Sequence, residues 1–394
     1  MRITLSVNGR FHSFDVAREL SRRQQLCRLI TSYPGFVARR WGLPPSQVRA
    51  LPAIELLKRV AIRVFDAPGE LLCAPYDLLA SHLVPEESEL VETWSGSSLH
   101  TLARARALGA VSVLKRSSAH IVTQRELLQE EYRRWGMEDR TPIPAFIVER
   151  ELREYDEADY VLTSSRFIAR TFRDRGVPPH KVLCLPLAVD TSSFRAAQRD
   201  DRTFRVLFCG AASLRKGVPY LLKAFASLAL PDAELWFVGG IAAELRPLFA
   251  RLGGPNVRVL GSVPHGSLPA IYQQCDVLCL PSIEEGFGTV VTQAMACGLP
   301  VIVSENVGAA DALAGAPDAG CIVPIRDARA LADAILGLYE DRVRCRAMGQ
   351  RAAAALRRGD GCGSWSDYAE RLLALYRSLR GLSDAALSAA PSPA

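Results

Sequence analysis

Short apolar runs alternate along this chain with longer stretches in which apolar positions recur every three or four residues, the pattern of strands alternating with amphipathic helices. Ile3 to Val7 reads as a first strand, and Phe14, Ala17 and Leu20 as the buried face of the helix after it. Further apolar stretches at Leu71-Leu72-Cys73, Ala119-His120-Ile121-Val122 and Tyr160-Val161-Leu162-Thr163 are separated by helical patterns such as Leu99 to Leu114. Alternation of this kind predicts a parallel sheet. Near Leu183 to Leu187 the pattern changes, and Ala188 to Thr203 reads as a polar connector, so a domain boundary is expected there. Strands then restart at Arg205 to Gly210, Glu234 to Gly240, Val257 to Leu260, Val277 to Leu280 and Pro300 to Ser304, with helices at Tyr220 to Ala229, Ser267 to Cys275 and Ala328 to Leu338. The expected fold class is α/β, with two doubly wound domains facing each other across a cleft.

Length and composition sharpen this picture. At 394 residues the chain exceeds one ordinary core and suits two domains, placed at 1–190 and 204–362. A helix over 363–382, apolar at Trp365, Tyr368, Leu372, Leu375 and Tyr376, follows, and the Ala, Ser and Pro-rich tail 383–394 reads as loose. Apolar residues at 49% and charged residues at 23% are those of a water-soluble globular protein. The ten cysteines are scattered, several within apolar runs, without CxxC or zinc-ligand spacing. They read as buried thiols of a reducing compartment, which favours the cytoplasm.

The N-terminal strand is too short, and too polar after it, for a signal peptide, and no apolar run has the length of a membrane span. A net charge of +6 comes without helix-turn-helix, RNP or zinc-finger spacing, so nucleic acid is not an expected partner. The basic cluster Arg39-Arg40-Trp41, near Phe36 and Leu43, has two readings: a salt-bridged surface helix, or a face resting peripherally on an anionic bilayer.

The densest chemistry lies in Pro281-Ser282-Ile283-Glu284-Glu285-Gly286-Phe287-Gly288, continuing through Gln293-Ala294-Met295-Ala296-Cys297-Gly298-Leu299-Pro300. It reads as the end of a buried strand, a glycine-bearing loop and a short helix, with an acidic side chain delivered at the strand's carboxyl end. Ligands of open α/β sheets bind there, because loop amides and helix N-termini converge. Likewise Gly210 ends a strand, and Arg215-Lys216-Gly217 stands before a helix where a diphosphate would meet backbone amides and two cations.

This segment resembles the donor-sugar signature of the retaining glycosyltransferases of family 4, also called group 1, whose fold is of the GT-B type. Similarity covers nearly the whole chain and is strongest from Val206 to Ala334. By that resemblance the second domain takes a nucleotide-sugar, a UDP- or GDP-sugar, and the first takes the acceptor, a cell-surface glycan, lipopolysaccharide or lipid-linked hydroxyl. Glu285 then approaches the donor sugar, Gly286, Phe287, Gly288 and Thr289 form the donor loop and helix start, and Lys216, with Arg215, meets the departing diphosphate. Gln293 stands where the family has a second Glu against the ribose, and Ala211 where it often has an Arg.

Candidates in the first domain are Gly9, Arg10 and His12 on the acceptor side, and His120, which matches a histidine near the reacting sugar in relatives. For His120 a structural role at a strand start is the alternative. His265 either lies near the base-binding region or caps the next helix. The C-terminal helix of such folds often crosses back onto the first domain. The donor phosphate serves as base in this type of transfer, no covalent protein residue is assigned, and without a DxD pair on a loop no metal or other cofactor is expected. The alternative to an active transferase is a catalytically weak nucleotide-sugar-binding protein of a polysaccharide assembly complex, suggested by Gln293 and Ala211. An epimerase or phosphorylase would need paired acids or a pyridoxal lysine, and neither is found.

Overall fold

The computed structural model describes the chain except residues 66–67, 138–142, 189, 191, 198–201, 359–362 and 389–394 and the side chains of 380 and 382–388. Among the described residues, strands β1 (Ile3–Val7), β2 (Leu26–Thr31), β3 (Val48–Ala50), β4 (Leu90–Trp94), β5 (Val111–Arg116), β6 (Tyr160–Thr163) and β7 (Val182–Cys184) form one sheet in the order β3-β2-β1-β4-β5-β6-β7. Strands β8 (Phe204–Cys209), β9 (Ala233–Val238), β10 (Val257–Gly261), β11 (Val277–Leu280), β12 (Val301–Ser304) and β13 (Gly320–Val323) form a second, in the order β10-β9-β8-β11-β12-β13. Among the described residues neighbouring strands run parallel, as in Ile3 opposite Leu90 and Val277 opposite Val206. Helices cover the central strands, and β1, β5 and β11 are buried along their whole length, whereas the edge strand β10 is mostly exposed.

The order of each sheet reverses once, between β1 and β4 and between β8 and β11, and in open α/β sheets such switch points open a crevice at the strand carboxyl ends. Those ends face each other. Ser117 and Ser118, after β5, and Ser165, after β6, meet Gly286 after β11, where a Cβ on Gly286 would fall onto the Ser117 carbonyl.

Several sequence readings give way here. Leu71-Leu72-Cys73 is no strand: it closes the 3-10 turn Gly69–Leu72 and opens the helix Cys73–Ser81. The apolar stretch at Ala119-Val122 opens the helix Ile121–Arg134. The pattern from Leu99 to Leu114 divides into a helix, Leu99–Ala107, and β5, because a strand buried on both faces shows no two-residue alternation. The final helix runs Trp365–Ser388, into the segment expected to be loose, and 389–394 lie outside the described residues.

This helix docks on the first domain. Tyr368 Oη accepts from Lys115 Nζ at 3.0 Å, Lys115 ion-pairs with Glu92 at 3.7 Å, Tyr376 donates to Glu92, and Arg23 donates to Ser366 Oγ at 2.7 Å. Lys115 and Glu92 are almost wholly buried, a placement that requires the mutual compensation they give each other. The nine cysteines among the described residues are free thiols, and Cys362 lies outside them.

Candidate active site

Two turns at the β8 and β11 ends build the centre. After β8 the chain passes Gly210 at φ +139 and reaches Ser213 to Gly217, a turn closed by Lys216 N–H to Ser213 O at 3.2 Å and Gly217 N–H to Leu214 O at 2.9 Å. Gly217, at φ +65, opens the helix Val218–Leu228 and presses against the Pro281 carbonyl so closely that no side chain fits there. Ile283 N–H donates to Arg215 O at 2.8 Å, which locks the two turns together. Glycine is thus required by the contact between the lysine turn and the acidic loop.

Lys216 Nζ ion-pairs with the Glu285 carboxylate, and both side chains are largely buried. Burial, with the Arg215 charge beside it, brings the Lys216 ammonium down to about 8, against the pull of Glu284 and Cys209. Backbone bonds hold Glu285 on both sides: its N–H donates to Asn306 O at 3.1 Å, and its carbonyl accepts from Gly308 N–H at 3.0 Å. Gly288, at φ +83, then turns the chain into the helix Thr289–Ala296, and Phe287 is buried.

Glu284, which no candidate role was assigned from sequence, is wholly buried and joins the domains. Its Oε1 accepts from Ala119 N–H at 2.8 Å, and its Oε2 from Gln124 Nε2 at 3.0 Å and Arg215 Nε at 2.8 Å. Burial works against its charge, but Arg215, the Ala119 N–H and the more distant Arg116 outweigh it and hold the carboxyl below the usual range. Arg215 is therefore committed first to Glu284, and among the described residues Lys216 is the cation paired with Glu285. A signal for Glu284 did exist: an acid beside a buried strand needs a partner, and Arg215 is the cation of the facing turn.

Gln293 is nearly buried. Its Oε1 accepts from Tyr272 Oη at 3.2 Å, and its Nε2 lies 3.5 Å from His265 Nε2, which places His265 beside it. Phe194 packs edge-on against His265 and Tyr272 at 5.7 and 5.8 Å.

The first-domain candidates separate. Gly9, at φ +147, lies in the turn after β1, and its carbonyl accepts from Thr31 Oγ1 at 2.6 Å. Arg10 is exposed, its guanidinium 4.8 Å over the Trp41 ring. His12 turns inward between Trp94 and Trp365, at 4.9 and 6.0 Å, where burial and then Lys115 push its pKa well below the usual histidine value. His120 is not at a strand start. It caps the helix Ile121–Arg134, its Nδ1 accepting from Val122 N–H at 3.3 Å, and its ring packs on Tyr155 and Phe172. Burial, then Arg175 and Arg116, push it down to about 4, so it stays neutral at physiological pH.

Of Arg39-Arg40-Trp41, the tryptophan is drawn into the fold, while Arg39 and Arg40 are exposed. The Trp41 indole donates to Asp15 at 3.2 Å and packs on Phe14, while Arg40 lies over exposed Phe36. No described helix is long and apolar enough to cross a membrane.

Residues 190–355 match the family model described as glycosyl transferases group 1. The chain is 32% identical over 252 residues to D-inositol 3-phosphate glycosyltransferase 1 of Catenulispora acidiphila, covering 56% of this chain and 59% of that protein. It is 34% identical over 208 residues to the phosphatidyl-myo-inositol mannosyltransferase of Mycolicibacterium smegmatis, covering 50% and 52%. The chain thus spans somewhat over half the length of these curated relatives. Among solved structures, the sucrose-phosphate synthase of Thermosynechococcus elongatus superposes with a TM-score of 0.70 at 20% identity, over 97% of this chain and 100% of that one. Anabaena HepE in complex with UDP superposes with 0.70 at 17% identity, over 96% and 100%. At such identities the likeness is one of fold.

Proposed function

Residues 190–355 belong to the glycosyl transferases group 1 family and the whole chain has the GT-B fold, and from that premise we propose that the protein transfers a hexose-type sugar, with retention, from a nucleotide-diphosphate sugar to a hydroxyl of a glycan, lipopolysaccharide or lipid-linked acceptor. The observation that carries this reading is the Lys216–Glu285 pair at the mouth of the second sheet, with the starts of the Val218–Leu228 and Thr289–Ala296 helices beside it.

Departure of a nucleoside diphosphate builds negative charge, and fixed cations with helix amides stabilise it without reorganising. Lys216 supplies the cation and exchanges its carboxylate partner for the diphosphate when donor binds. That exchange frees Glu285 to accept from the donor sugar's hydroxyls. The acceptor hydroxyl enters from the first-domain side, near the Gly9 loop, and gives its proton to the departing phosphate oxygen. Lys216 does the electrostatic work that a metal performs in folds with a DxD loop, so the reaction needs no divalent ion. Relatives that are named as inositol-phosphate and phosphatidylinositol glycosyltransferases favour an acceptor carrying a phosphorylated or lipid-linked polyol.

A panel of UDP- and GDP-hexoses, assayed for hydrolysis and for transfer with the intact chain and with Lys216→Ala, tests this reading. Turnover of one nucleotide class, lowered roughly ten- to hundredfold in the variant, is expected, since a charge-assisted contact contributes about 1.5 to 3 kcal/mol. The second reading, a nucleotide-sugar-binding protein without turnover, rests on Gln293 being tied to Tyr272 and His265; it predicts affinity but no product.

A further inference from the structure

Phe11 stands in the turn after β1 with its backbone at φ +40 and its side chain 59% exposed. The left-handed region disfavours a bulky residue, and such strain persists only where the surroundings hold it; it gathers at ligand sites. A single exposed apolar ring is ordinary, but one held out at a cost in backbone strain is not. In the same turn Asn8 is nearly buried and leaves its Oδ1 without a partner among the described residues, a second unmet cost.

The surroundings that hold Phe11 are built in layers. Its ring lies flat on Trp94, at the end of β4, with centroids 4.6 Å and planes 13° apart. It also lies close to Gly9, where an added Cβ would stand 3.0 Å from it. Trp94 is fixed in turn: its indole donates to Ser13 Oγ at 2.8 Å, His12 packs against it at 4.9 Å, and the Lys115 ammonium lies 5.7 Å from its ring centre. Trp365, at the start of the final helix, stacks on His12 at 6.0 Å. Phe11 thus stands at the carboxyl ends of β1 and β4, the switch point of the first sheet, with one face on a rigid support and the rest of the ring towards water.

We propose that Phe11 is a stacking platform for a hydroxylated six-membered ring, a pyranose or cyclitol unit of the acceptor, and that it selects ring acceptors over open-chain polyols. The acceptor role rests on the transfer reading above, whereas binding of the ring does not. Such a ring presents a flat face of C–H groups that packs on an aromatic face, while its hydroxyls stay hydrated at the rim. An open-chain polyol has no such face until several of its bonds are ordered, and that ordering opposes binding. Phe11, already held out by Trp94, needs no ordering of its own. A nucleobase is flat as well and stacks on aromatic rings, so nucleotide affinity is the control.

Saturation-transfer NMR on the full chain without nucleotide tests the proposal, with methyl α-mannopyranoside and myo-inositol as ring probes and mannitol as the open-chain one. Transfer to the ring C–H protons is expected, with little to mannitol. It falls about fivefold in Phe11→Leu, which keeps apolar bulk without a flat face, and is retained in Phe11→Tyr, which keeps the face. A thermal midpoint unchanged in Phe11→Leu shows that the fold persists. Equal transfer to the rings in Phe11→Leu, equal transfer to mannitol, or none to either ring in the wild type overturns the proposal. Loss of UDP or GDP affinity in Phe11→Leu with ring binding kept also overturns it, in favour of a stacked base. Ring binding that depends on Phe11, in a chain that turns over no nucleotide-sugar, supports the platform and removes the transfer reading alone.

Discussion

Arg215 donates through Nε to Glu284 Oε2 at 2.8 Å, and the other oxygen of that carboxylate accepts from the Ala119 N–H of the opposite domain. A buried charge with three donors, from both sheets, fixes the domain junction next to the candidate site. Removing one partner from a buried pair of this kind costs about 3 to 5 kcal/mol. Glu284→Ala is expected to lower the thermal midpoint markedly and weaken nucleotide binding, while Glu284→Gln, which keeps an acceptor for Ala119, loses less. Calorimetric unfolding of both variants checks the order.

Lys216 gives a pH dependence. Its folded pKa of about 8 lies below the ordinary lysine value, so the free site loses its ammonium as pH rises past 8. A diphosphate favours the charged form and raises that pKa, so nucleotide binding takes up a proton above pH 8 and weakens as pH rises further. Titration calorimetry of UDP and GDP in buffers of different ionisation enthalpy measures the uptake. Binding with no proton exchange between pH 8 and 9 would place the diphosphate elsewhere.

Gly286 is packed where a Cβ would meet the Ser117 carbonyl, and its own carbonyl accepts from Ser165 Oγ at 2.9 Å. Gly286→Ala must push the Ser117 turn away. Overpacking of this kind costs about 1 to 3 kcal/mol, and a drop in both thermal midpoint and transfer rate is expected. Full transfer at an unchanged midpoint would show that the junction is loose.

At Gln293 the outcome turns on reach, because both ends of the amide are engaged by Tyr272 and His265. If the ribose hydroxyls approach it, Gln293→Glu tightens the nucleotide product by about fivefold, or about 1 kcal/mol, because charged acceptors form the stronger bonds. Gln293→Ala weakens binding. Unaltered affinity in both variants removes this residue from the donor site.

Chelation separates the electrostatic roles. EDTA is expected to leave the transfer rate unchanged, with Lys216 and the helix amides meeting the diphosphate. A loss that magnesium or manganese restores would overturn that assignment.

How much of this was legible from the sequence follows from which interactions are local. Strand and helix alternation fixed the α/β class and the two sheets, because burial of β1, β8, β9 and β11 demands apolar runs whatever packs on them. Glycine and acid at the end of β11, and lysine and glycine before the helix that follows β8, stand on the turns where the sequence places them, because backbone turns and helix starts are set by neighbours in sequence. β5 was hidden in a helical pattern for the same reason in reverse, since a doubly buried strand carries no alternation of its own. His120 stands at a strand start in the sequence pattern and is a helix cap in the fold, a difference that rests on the direction the chain takes after it.

Only tertiary structure told Glu284 from Glu285. Side by side in sequence and alike in chemistry, they point to opposite fates: Glu284 is sealed by Ala119 and Gln124, 165 and 160 residues away, while Glu285 faces Lys216 at the open end of the sheet. The sequence determined that an acidic pair would stand at a strand's carboxyl end. Which acid holds the domains together and which stays at the site was decided when the first sheet brought its Ser117 to Gln124 segment against the second, because burial and partners of a charge are set by the surface that closes over it.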